Sequence, residues 1–189
     1  MIEKLVERLI VRQIERGIID ESQKALYKYG YVVMVEMSIN VFLTLMVGIL
    51  SGKMILVIFF SLMFIPLRSY CGGWHAPKDW LCMLFSMGTL LLVVFLEQFS
   101  FLPGSAVYFI EVISLVVILL LAPMDSVAKR LDEKEIKIFR NLSRIILVLE
   151  FLILLGAIYF KCRVLILSII CAHGIQSISL IMCMPRKLK

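Results

Sequence analysis

Residues 164–184 read VLILSIICAHGIQSISLIMCM, a run with no Asp, Glu, Lys or Arg. A helix rises about 1.5 Å per residue, and about 20 residues cross the hydrocarbon core of a bilayer. This run is long enough to span without help. Working outward, five more apolar stretches stand at 31–50, 54–67, 80–96, 106–122 and 145–160. The first of these is also long enough. The stretch 54–67 has 14 residues and 80–96 has 17, so each is read as a short tilted span or a re-entrant segment. Hydrophobic residues make up 61% of the 189-residue chain and charged residues 18%, and mean hydropathy is +0.99. An ordinary soluble domain holds about 45–50% and about 25%. A globule of this size cannot hide that much apolar surface, which excludes a soluble domain and a disordered chain. The predicted fold is all-α: a polytopic membrane protein of about six transmembrane or re-entrant helices, with an amphipathic helix at the amino terminus.

Charge orients it. With the amino terminus inside, 1–30, 68–79, 123–144 and the tail 185–189 are cytoplasmic and hold 17 of the 20 Lys and Arg. The outer connections 51–53, 97–105 and 161–163 hold the other three. That split follows the positive-inside rule, so the net charge of +6 is not read as nucleic-acid binding. A four-span arrangement, with 54–67 and 80–96 dipping from the inner side, keeps both ends inside. The expected organisation is a cytoplasmic segment 1–30, a membrane-embedded domain 31–184 with cytoplasmic loops 68–79 and 123–144, and the tail. Within the first segment Ile2, Leu5, Val6, Leu9, Ile10 and Ile14 follow helical spacing with charges opposite. An interfacial helix on the inner leaflet explains that pattern, and a docking face for an amphipathic peptide is compatible with it. The chain does not open as a cleavable signal peptide, because charges run through position 16.

The stretch 66–82, PLRSYCGGWHAPKDWLC, differs from its surroundings. It sets a histidine, His75, near two cysteines, Cys71 and Cys82. An imidazole that takes a thiol proton and pairs with the thiolate is the minimal cysteine nucleophile. On one straight helix, seven residues would separate His75 and Cys82 by about 10.5 Å, too far for a hydrogen bond. Pro77 relieves this by disfavouring helix at Ala76 and permitting a new helix near Asp79. His75 then sits in a loop able to fold back over the first turn. Gly72 and Gly73 give that loop its freedom and would let a substrate peptide approach. Cys71 is a rival nucleophile by residue type. An interfacial histidine beside a buried, inert cysteine is the alternative. The five cysteines form no C-x-x-C pair, so neither a disulfide scaffold nor a zinc site is expected.

The string R-S-Y-C-G-G-W-H-A-P with Cys82, together with A-P-M-D-S-V-A-K at 122–129, resembles the accessory gene regulator B (AgrB) family. These are membrane endopeptidases of Gram-positive quorum sensing, and the likeness covers nearly the whole chain. The resemblance implies a cysteine endopeptidase that removes the carboxy-terminal part of an AgrD-like propeptide. Through a thioester on the enzyme it then closes a thiolactone or lactone autoinducing peptide. Carried over by motif, His75 is the general base and Cys82 the nucleophile. Arg68 and Gly73 match further positions that matter in the family. Many members carry a second arginine where this chain has Ser69, which puts in doubt any role needing two adjacent cations. Asp79 or Asp125 would orient His75, or else serve as a helix start and a cap. Lys129 and Arg130 would bind the acidic end of the propeptide, or else supply ordinary inner-side charge. No metal or cofactor is implied. The expected partners are the propeptide, the lipid bilayer and a second copy of the chain, at the cytoplasmic membrane with the site on its cytoplasmic face. The competing functions are a non-enzymatic peptide carrier or chaperone of the same fold, and a related protease acting on another peptide.

Glu36, Asn40, Glu111, Glu150, His173 and Gln176 fall inside apolar stretches. Ionisable groups in lipid are costly and should face other helices or water. Interhelical hydrogen bonds or dimer contacts explain them; a polar path for the peptide is the functional alternative. Glu111 reads as interfacial at the outer end of its span, and His173 as too deep to meet Cys82. The eleven methionines are spread through the spans and read as packing.

Overall fold

The computed structural model describes residues 2–74, 79–98, 104–124 and 132–187. Among these residues are seven α-helices and no strand: α1 (Ile2–Glu15), α2 (Lys24–Leu50), α3 (Met54–Cys71), α4 (Asp79–Gln98), α5 (Gly104–Leu121), α6 (Glu133–Tyr159) and α7 (Arg163–Lys187). Four are long and apolar enough to cross a membrane: α2 with the turn before it, α3, α6 and α7. Two shorter apolar helices occupy Met83–Gln98 and Ala106–Leu121. The fold is an all-α, polytopic membrane protein. Its outer surface agrees. Ile55, Leu62 and Ile65 of α3 and Leu120 of α5 are each more than half exposed. In water they would form a sticky patch, whereas in hydrocarbon they are the lipid-facing side.

The chain divides into two compact units, 1–46 and 47–189. In the first, Gln13 of α1 exchanges hydrogen bonds with the Tyr31 hydroxyl of α2 at 3.1 and 3.2 Å. Glu7 faces Lys28 at 3.7 Å.

In the second unit α7 is the central post, packed against α3, α4, α5 and α6. Its Ile169, Ala172, His173, Gln176 and Leu180 have no exposed surface. One apolar cluster joins Leu56, Val57 and Phe60 of α3 to Leu90 and Val93 of α4 and to Cys171 and Ala172 of α7. A second joins Leu67 and Cys71 of α3 to Ile118 of α5, Leu147 of α6, Leu180 and Cys183 of α7, and Met124. The first cluster lies toward the start of α3 and the second toward its end, so α7 is gripped along its length.

Two helices are longer than their apolar runs. α3 continues through Pro66 to Cys71, so Arg68, Ser69 and Tyr70 lie on its last turn rather than in a loop. The proline removes one backbone donor, the one an ideal helix would give to the Leu62 carbonyl, without ending the helix. Ser69 turns its hydroxyl to the Ile65 carbonyl at 2.8 Å. α6 begins at Glu133, so the basic residues from Lys134 to Arg144 ride on the first turns of a helix continuous with the span. Asp132 explains that start. Its carboxylate accepts from the Glu133 N–H at 3.1 Å, and its own N–H donates to Glu135 at 3.1 Å, a reciprocal cap. Tyr70 meets Phe139 edge-on with ring centres 5.7 Å apart, fastening this first part of α6 to the end of α3. At the opposite end Lys53 pairs with Glu97 at 2.7 Å.

Candidate functional site

The end of α3 is built around a pair of glycines. Gly72 adopts φ 68° and its N–H donates to the Arg68 carbonyl at 3.2 Å. A side chain here would strike the Met124 carbonyl. That contact belongs to a single parallel bridge between Gly72 and Met124, in which the Met124 N–H donates to the Cys71 carbonyl at 2.9 Å. Gly73 adopts φ 120°, and a Cβ on it would lie 2.5 Å from Arg68 Nη1 and 2.7 Å from Ser179 Oγ. Only glycine satisfies both the backbone angle and the space.

Parts of the chain itself pack closely against both glycines. Arg68 reaches along its own last turn and donates to the Gly72 carbonyl at 3.0 Å, to Ser179 Oγ at 2.5 Å and to the Trp74 carbonyl. Gln176 of α7 donates to the same Gly72 carbonyl at 2.8 Å. The Trp74 N–H donates to the carbonyl and the hydroxyl of Ser179, both at 3.2 Å. The Trp74 ring stands edge-on to Phe85 of α4, with centres 4.8 Å apart. Phe85 is three residues after Cys82, so on a helix the two share a face. The segment 72–74 is thus tied to α3, to α7, to the 122–124 stretch and to the second turn of α4.

Of the residues singled out by sequence, Arg68 and Gly73 are brought together directly. Cys82 lies at the end of the first turn of α4, and Asp79 opens that helix; both side chains lie outside the described residues. His75, Asp125, Lys129 and Arg130 also lie outside them. His75 follows Trp74 directly and Asp125 follows Met124 directly, so the two sequence motifs converge at the Gly72–Met124 bridge. Ser69 is exposed, on a different side of α3 from the guanidinium network.

Cys71 has no exposed surface and sits among Leu67, Ile118, Leu147 and Leu180. A thiolate there would lose its hydration in a largely apolar cluster, so Cys71 is placed to pack. Cys171 and Cys183 are buried as well.

Three of the polar groups inside the spans form one cluster. His173 of α7 places Nδ1 2.6 Å from Glu111 of α5 and Nε2 2.8 Å from Glu150 of α6. All three are buried, Glu111 to 3% exposure. Glu111 is therefore not the interfacial group its sequence position suggested, because the short helix α5 carries it against α7. Ser177 and Ser114 meet beside the cluster at 3.5 Å. These are interhelical hydrogen bonds that lock α5, α6 and α7 together. Asn40 is half-buried, and the Glu36 side chain lies outside the described residues. Sequence reading missed Ser179 altogether and took Gln176 only as a polar group in a span. The available signal was their spacing of three on one apolar helix, which puts both on one face.

The fold and this knot of loop and helix define a helical membrane protein whose 72–74 segment is tied by polar contacts to α7. The chain belongs to the accessory gene regulator B family, whose model matches residues 2–180. That family is associated with AgrD processing in quorum sensing. No curated protein and no solved structure matches the chain.

Proposed function

We propose that this protein is a cysteine endopeptidase that cleaves an AgrD-like propeptide and cyclises it to a thiolactone or lactone signal. The observation that carries the reading is the bridge between Gly72 and Met124. It gathers the stretch leading into His75 and the stretch leading into Asp125, while Trp74 packs on α4 one turn beyond Cys82. Burial of Cys71 supports Cys82 as the nucleophile.

In this reading His75 takes the Cys82 thiol proton and the thiolate attacks a backbone carbonyl of the propeptide. The C–N bond breaks, the carboxy-terminal fragment leaves as an amine with the proton from His75, and a thioester remains on Cys82. The propeptide's own Cys or Ser, deprotonated by His75, attacks that thioester. The ring closes and Cys82 leaves as a thiolate that recovers the proton. Exchange between two thioesters is nearly balanced in energy, so water must be kept out, and a site at the membrane edge suits that need. Asp125 orients His75, and Lys129 and Arg130 hold the acidic end of the propeptide. The site faces the cytoplasm, with both termini inside, as the distribution of basic residues favours. Two copies of the chain pair in the membrane.

Co-expression with the propeptide tests this. Cys82→Ala and His75→Ala should each abolish the carboxy-terminal fragment while the protein still accumulates in the membrane. Continued production of mature peptide by Cys82→Ala would instead make the protein a carrier.

A further inference from the structure

The loop segment that precedes His75 is held by hydrogen bonds with Arg68 of α3 and with Gln176 and Ser179 of α7. The Gly72 carbonyl has two lone pairs; one accepts from Arg68 Nη1 at 3.0 Å and the other from Gln176 Nε2 at 2.8 Å. A carbonyl only accepts, so the face of the Gln176 amide turned to it is its NH2. Arg68 Nη1 has two hydrogens, and the second goes to Ser179 Oγ. Ser179 receives Trp74 N–H on both its oxygens. Gln176 has no exposed surface, so no water competes for its amide. Gln176 and Ser179 are one turn apart on α7, and His173, one turn before Gln176, is pinned between two carboxylates. The rotation and depth of α7 are therefore fixed by the buried cluster, and α7 in turn fixes the segment.

We propose that Gln176 and Ser179 of α7 are positioning residues for the thiol chemistry: with Arg68 they hold Gly72–Trp74 in place, and thereby set where the following imidazole stands relative to α4. This rests on the reading of His75 and Cys82 as a working pair. Neither Gln176 nor Ser179 touches substrate. They act through the backbone of 72–74, and a displacement of about 1 Å at a reacting group is enough to cost about 100-fold in rate.

The test is made on the full-length protein in lipid nanodiscs, without substrate. The rate of Cys82 alkylation by iodoacetamide is followed against pH, with mass spectrometry reading the Cys82 peptide alone. The proteins compared are wild type, His75→Ala, Gln176→Met, Ser179→Ala and Ser179→Thr. An imidazole partner makes the thiol reactive at lower pH than a lone thiol. Gln176→Met and Ser179→Ala are expected to move toward the His75→Ala profile, and Ser179→Thr, which keeps the hydroxyl, to stay with wild type. With propeptide added, kcat for the first two falls by about 100-fold while KM changes by less than about twofold. Wild-type profiles in Gln176→Met and Ser179→Ala, with wild type still distinct from His75→Ala, would overturn the positioning role and leave the pair standing. Identical profiles for wild type and His75→Ala would overturn the pair itself, and this proposal with it. Ser179→Ala removes a single oxygen, and decides between these outcomes if Gln176→Met does not fold.

Discussion

Replacing Gly73 by alanine is the most discriminating single change at the loop. The residue holds φ 120°, where a Cβ is disfavoured, and the added carbon would lie 2.5 Å from Arg68 Nη1 and 2.7 Å from Ser179 Oγ. Holding a non-glycine residue in such a conformation costs about 1–3 kcal/mol. Overpacking a filled site costs about another 1–3 kcal/mol. The chain has one way out, which is to swing 72–74 away from α7. That forfeits the bonds from Arg68 and Gln176 to the Gly72 carbonyl and those from Trp74 to Ser179. Each is worth about 1 kcal/mol net. Strain sums to about 2–6 kcal/mol and release to about 3–4, so Gly73→Ala should lose about 2–4 kcal/mol by the cheaper route. The two routes differ in what they leave. In the first Trp74 stays against Phe85 and in the second it departs, which tryptophan emission reports. Gly88→Ala is the matched control, since nothing lies within 4 Å of a Cβ there. It should be neutral or stabilise by about 0.5–1 kcal/mol, as a helix-interior glycine replaced by alanine does. The assay is thermal unfolding in nanodiscs beside propeptide cleavage. Gly73→Ala melting and cleaving like wild type, or Gly88→Ala doing equal damage, would refute the steric reasoning.

Cys71→Ala should keep cleavage, and Cys71→Ser should keep it too while losing about 1–3 kcal/mol for a hydroxyl in an apolar cluster, read as a lower melting temperature. His173→Leu leaves two carboxylates facing each other without the imidazole, and should cost about 3–5 kcal/mol, measured by the same melting curves. Asp132→Ala removes the reciprocal cap of α6 and should cost about 1 kcal/mol, visible as a small loss of helical circular dichroism before the main transition.

The membrane class was legible because apolar runs and basic connections are local properties of the chain. The ends of α3 and α6 were less so. Pro66 and Arg68 look like the start of a loop, yet the helix passes through the proline and its last turn is tied to α7 through Arg68. An amphipathic helix near 132–144 was readable; that it runs unbroken into the span, and that Asp132 rather than Asp125 caps it, was not. At the site the motif residues Arg68, Gly73, His75 and Cys82 stood out by type and spacing. What holds them did not. Arg68 meets Ser179 across 111 positions and Gly72 meets Gln176 across 104, and no local pattern encodes such partners. Glu111 shows the same limit. Its depth is set by which turn of α7 faces it, and its partner His173 is 62 positions away.

The proposed chemistry turns on a propeptide carbonyl passing onto the sulfur of Cys82. Rapid acid quench of wild-type protein, mixed with a propeptide whose internal Cys or Ser is replaced by Ala, would trap that species for mass spectrometry of the intact protein and its fragments. An adduct with the mass of the amino-terminal part of the propeptide, labile to hydroxylamine, is expected on Cys82. A released carboxy-terminal fragment with no adduct, or an adduct on Cys71, would contradict it.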